Sequence, residues 1–118
     1  MRRLATAGAG LALALGACGG FAVPDSPSVP DKITWESPVK QIMDDHCNVC
    51  HGAAPNRGAP TDFRLDTWGA KDGRVGAGSM ADQIAEVVNG GEMPEEAPLG
   101  PNDTEILRKW ADAGAPEN

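Results

Sequence analysis

Cys47-Asn48-Val49-Cys50-His51 is the stretch on which the reading of this chain turns. It has the form C-x-x-C-H. Two thiols three residues apart sit on one helical turn, spaced to add to the two vinyl groups on one edge of a porphyrin. A histidine directly after the second thiol is carried under the iron as its proximal ligand. The pentapeptide therefore reads as a site for one covalent haem c, with Cys47 and Cys50 as thioethers and His51 on the metal. Two other uses of the thiols compete. A zinc site takes four ligands, and outside this stretch the chain has only His46 and Cys18 to add. A thioredoxin-like redox pair needs a strand-helix-strand setting, and no such pattern flanks the motif.

The 118 residues allow one small domain. Tyrosine is missing, aromatic residues make up 4%, and there are 15 Gly and 10 Pro. Domains of this size bury a small fraction of their surface and need a supplement to the side-chain core. A haem is a large apolar plate that would serve. The formal net charge is −7. Without Arg2 and Arg3 the count is eight basic against seventeen acidic residues, or −9. That excludes a nucleic-acid partner, which needs a basic patch. It suits docking to basic protein surfaces, or simply solubility.

Residues 1–17 have the layout of an export signal: Arg2-Arg3, then a Leu/Ala/Gly run too short and too glycine-rich to span a bilayer. The run ends Leu15-Gly16-Ala17-Cys18, which resembles the lipobox of bacterial lipoproteins. The resemblance implies cleavage before Cys18, lipidation of Cys18 and a lasting anchor from several acyl chains. It also implies a periplasm-facing protein on a bacterial membrane, the outer one slightly favoured by Gly19. An ordinary signal peptide, with Cys18 a stray thiol, is the alternative. Residues 18–32, with Pro24, Pro27 and Pro30, read as a lipidated cysteine followed by a semi-extended tether. The stretch from Gly19 to Asp31 would reach about 45 Å.

Residues 33–118 form the expected domain. Ser37-Pro38 is a helix-start signal. Val39, Ile42, Met43, Cys47 and Cys50 then recur at spacings of three and four, which predicts one amphipathic helix running to about Cys50. Residues 52–78 show no helical period. Ser79-Met80-Ala81-Asp82 opens a second helix with Ile84, Val87 and Val88 on its apolar face, stopped at Asn89-Gly90-Gly91. Asn102 to Glu105 reads as a capping box for a last helix striped by Ile106, Leu107, Trp110 and Ala113, with Gly114 after it.

A first helix ending in C-x-x-C-H resembles that of class I cytochromes c. Met93-Pro94, Pro98-Leu99 and the helix Glu105-Ile106-Leu107-x-x-Trp110-x-x-x-Gly114-Ala115 resemble the C-terminal half of a bacterial subgroup of that family. The chain departs from the subgroup at Glu95, where Pro is common, and at Ala111, where Ile is usual. The resemblance implies an all-α small cytochrome c fold. Three main helices and long Gly/Pro-rich loops would wrap one covalent haem, with the last helix crossing the first at Trp110.

The sixth iron ligand must come from the other face of the ring. His46 abuts Cys47 and cannot cross, and Met43 lies on the proximal helix. Met80 reads as core, since most methionines fill gaps there. Met93, in an acidic loop stiffened by Pro94, is the favoured distal ligand, with Met80 or an open position as alternatives. Phe63, Leu65 and Trp68 read as pocket lining. Arg57, Arg64, Arg74 and the Trp68 indole N–H are candidate donors to the haem propionates. The resemblance implies a membrane-tethered, monohaem single-electron carrier in a periplasmic or respiratory chain. It would not itself be an enzyme; its partners would be redox proteins, and it would have no small-molecule substrate. A haem subunit of a larger oxidoreductase and a haem-based ligand sensor are the alternatives.

Overall fold

The structure is a computed structural model and describes residues 23–118. The expected signal of residues 1–17, the expected lipidation site Cys18 and the first residues of the expected tether lie outside the described residues.

Val39, Ile42 and Met43 are at most 4% exposed, and burying this stripe is what makes helix α1, Val39–His46. The turn before it is closed by the Thr34 N–H to the Ser37 carbonyl (2.9 Å) and the Ser37 N–H back to Thr34 Oγ1 (3.2 Å). The helix does not continue to Cys50 as the periodicity predicts. It stops at His46, Cys47 swings to φ −115°, and a separate turn, α2, covers Asn48–His51. Asn and β-branched Val are poor helix formers, and they stand side by side where the helix breaks.

A long irregular segment follows, crossed by isolated bridges between Phe63 and Val75 and between Lys71 and Arg74. A 3-10 turn at Ala77–Met80 leads into α3, Ala81–Asn89, which buries Ile84 and Val88. The expected Ser79 side-chain cap is not made. Gly91, at φ +74°, ends α3 as the sequence predicts. Helix α4, Pro101–Asp112, contributes Ile106, Leu107 and Trp110, each fully buried. Ala111 is buried in place of the expected Ala113. Gly114, at φ +87°, turns the chain so that the Ala115 N–H reaches the Trp110 carbonyl (2.9 Å).

The expected fold is corrected by these observations. The all-α cytochrome c fold, with three main helices and loops wrapped around a haem, is not what the structure shows. Among the described residues there are four α-helices and no named strand, only 39% of them are helical, and no haem wrap is formed. Helix α4 packs more extensively on α3 than on α1. Trp110 meets Trp35, with ring centroids 6.1 Å apart, rather than marking a simple crossing of the first and last helices. The physical reason lies in the loops. They are closed by their own guanidinium clamps, described below, and by a core that includes Ile33, Trp35, Leu65 and Leu99 from outside the helices.

Candidate functional site

The break at Cys47 sets the geometry of the motif. The N–H groups of Cys50 (3.1 Å) and His51 (2.9 Å) both reach the Cys47 carbonyl, so Cys47, Cys50 and His51 share one tight turn. Neither thiol is in a disulfide. The Cys47 thiol packs against the core, and burial, helped by the neighbouring Cys50, pushes it up to about 12. The thiol form is therefore favoured over the reactive thiolate at neutral pH in the folded chain. Val49, between the cysteines, is 60% exposed and puts the outer side of the turn in solvent.

His51 is half-buried. Burial lowers its proton affinity, and the Glu95 carboxylate opposes that more weakly. The imidazole is thus neutral near pH 7, the form a metal ligand requires. Its ring stacks on Phe63, centroids 5.1 Å apart and planes 24° from parallel. Its Nδ1 is buried with no hydrogen-bond partner.

Arg74 organises the chain around this turn. Its guanidinium donates to the carbonyls of Gly52 (3.1 Å), Ala53 (2.9 Å) and Phe63 (2.5 Å), tying the exit of α2 to the irregular segment that carries Phe63. The Leu65 N–H reaches the His51 carbonyl at 2.7 Å and completes the join. Gly52 is needed there, because a Cβ would come within 2.7 Å of the Asn48 carbonyl oxygen.

The candidate propionate donors are all engaged within the chain. Arg64, 5% exposed, makes a two-pronged contact with Asp66 (2.6 Å for both bonds) and a further one with Asp72 (3.2 Å). That contact holds the Asp66 carboxyl below its ordinary value. The Trp68 indole N–H donates to the Ala115 carbonyl (2.8 Å). Arg57 pairs with Glu96. Of the expected pocket lining, Phe63 lies on His51, Leu65 is in the core, and Trp68 packs over Gly78.

The methionines separate as follows. Met43 is fully buried in α1, and half-buried Met80 packs on the core from the 3-10 turn. Met93 is half-buried in the loop after α3, held at its start by the N–H groups of Glu92 (3.0 Å) and Met93 (3.2 Å) on the Val87 carbonyl. Farther along this loop, the Glu95 charge weakly favours the protonated His51 imidazole, and Glu96 pairs with Arg57 at the surface. His46 points elsewhere, with Nε2 3.6 Å from the Asp103 carboxylate.

The donor set fits a haem c in its chemistry: two unpaired thiols on one turn, a neutral imidazole with an unpartnered buried nitrogen, and a thioether on a neighbouring loop. Among the described residues, no three His, Cys, Asp or Glu side chains converge into a metal-binding group, so the four-ligand zinc arrangement is not built. No helix among them is long and apolar enough to cross a membrane. Compared with known protein families, with characterised proteins and with solved structures, the chain shows no match.

Proposed function

We propose that the chain is an exported, lipid-anchored protein that holds one covalent haem c and passes single electrons to and from redox partner proteins. The observation that carries it is the turn at Cys47–His51, where two free thiols and a neutral imidazole are presented together. Cys47 and Cys50 would hold the group by thioethers, His51 would be the proximal ligand and Met93 the distal one. Bound there, a haem c supplies a one-electron iron couple, and ligation by Met and His raises its potential relative to two histidines. The chain's own residues keep His51 in place through Phe63 and the Arg74 clamp. Glu96, three residues after Met93, pairs with Arg57 at the surface.

The buried Cys47 thiol supports attachment before the turn folds, since the folded chain leaves almost no thiolate to react. In this reading Cys18 carries the lipid, the protein faces the periplasm, and no substrate pocket is required. The oxidised protein is expected to show the near-red sulfur-to-iron absorption band, and Met93→Ala to lose it. A band that persists in Met93→Ala would overturn the distal assignment.

A further inference from the structure

Residues 25–29 make a set of contacts that the site does not use. The Asp25 carboxylate accepts hydrogen bonds from the backbone N–H groups of Asn102 (2.9 Å) and Asp103 (2.8 Å), free donors in the first turn of α4. Gly100 makes room for it, because a Cβ there would collide with the Asp25 side chain. The Ser26 hydroxyl donates to Asp103, and the Ser26 carbonyl accepts from Asn102 Nδ2 at 2.7 Å. Val29 packs against the core. Asp103 is 2% exposed and has His46 on its other carboxylate oxygen. The strap, α4 and the end of α1 thus meet at one buried carboxylate, and His46 is the residue before Cys47.

In the other direction the chain leads back to Cys18. Six residues lie between Cys18 and Asp25, and the span from one to the other is at most about 25 Å however they are arranged. Gly19 to Pro24 carries no charge and includes Phe21 and Val23. Val23 is one of the few large apolar side chains left exposed among the described residues. An uncharged, partly apolar stretch beside a lipidated residue favours the bilayer interface over water.

We propose that docking of Asp25 and Ser26 on α4 holds the domain with its haem-bearing, Cys47 end facing the lipid surface. This rests on the lipid-anchor and haem readings above. Undocked, the sixteen residues from Cys18 to Ile33 would reach about 50 Å and let the domain turn away. Docked, the Cys47 end exchanges electrons with a redox protein held in or on the same membrane.

The test uses the lipidated holoprotein in phosphatidylcholine vesicles carrying a fluorescent headgroup donor, with energy transfer to the haem as the readout. Zwitterionic lipid avoids repelling Asp44 and Asp45. Flotation with the vesicles and the haem absorbance are read first. Wild type is expected to transfer strongly. Asp25→Ala and Gly100→Ala are expected to cut transfer by about two-fold or more, as the reach roughly doubles. Faster amide exchange at Asn102 and Asp103 would report the undocking itself. A flexible insertion of about six residues after Gly20, which leaves the docking contacts in place, should also lower transfer. Equal transfer in all of these proteins, with the faster exchange present in the two docking variants, overturns the orientation alone. Failure to float overturns the anchor reading, and absence of a haem band overturns the haem reading; either takes the proposal with it.

Discussion

Replacing Arg74 by alanine should loosen the segment beneath His51 more than any neighbouring surface change. Three hydrogen bonds from one guanidinium are lost, and they are not equal. Those to Gly52 and Phe63 are partly buried, while the one to Ala53 is exposed. A charged donor on a partly buried carbonyl contributes about 1–1.5 kcal/mol net, and the exposed bond about 0.5 kcal/mol or less. The expected cost is therefore about 3 kcal/mol, a large share of the roughly 5–15 kcal/mol that holds a domain folded. For a domain of this size that lowers Tm by about 15 °C. Arg74→Lys should recover a minority of the loss, because one ammonium cannot serve three carbonyls in a fixed fork. The assay is thermal and urea unfolding followed by circular dichroism, with exposed Lys71→Ala as the control. A difference between Arg74→Ala and Lys71→Ala of less than about 0.5 kcal/mol would refute the clamp.

Three further outcomes are expected. Asp25→Ala should cost about 1–2 kcal/mol in the same unfolding assay, because the cap on the Asn102 and Asp103 N–H groups is lost, while exposed Asp31→Ala should cost close to nothing; equal effects would remove the strap. In the folded, haem-free chain Cys47 should be alkylated at least about 100-fold more slowly than in urea, since its thiol is pushed up to about 12 by burial; site-resolved mass spectrometry reads the rate, and equal rates would show the thiol is not buried. The Asp66 carboxyl is held below its ordinary value of 3.8 by Arg64. Its contribution to stability is thus fully present above about pH 3.8 and lost as pH falls through the lower folded value. The stability gap between wild type and Asp66→Asn should close as the pH is lowered past that point, and a gap independent of pH would contradict the pairing.

The helix faces were legible because burial imposes a period on sequence. Val39, Ile42 and Met43, then Ile84 and Val88, then Ile106, Leu107 and Trp110 are all buried. Gly91 and Gly114 were legible as stops because the positive φ they adopt favours glycine. What could not be read depends on partners far apart in the chain. Asp25 caps a helix 77 residues away, and a proline-flanked aspartate looks like any tether residue. Arg64, Arg74 and Trp68 look like donors awaiting a ligand, yet each is spent on a carbonyl or carboxylate of the chain itself. The overall fold failed for the same reason: a glycine-rich segment closed by internal clamps has the same composition as one wrapped around a cofactor. Within the motif the spacing of Cys47, Cys50 and His51 was plain. The break at Cys47 that gathers them into one turn shows only as the weak helix formers Asn48 and Val49.

The most direct test of the proposed function is the intact mass of the mature chain, made in cells able to attach haem and then extracted with acidic acetone. One haem should stay bound, and no thiol at Cys47 or Cys50 should remain open to alkylation. A chain that loses all its haem to the acetone, with both thiols free, would contradict it.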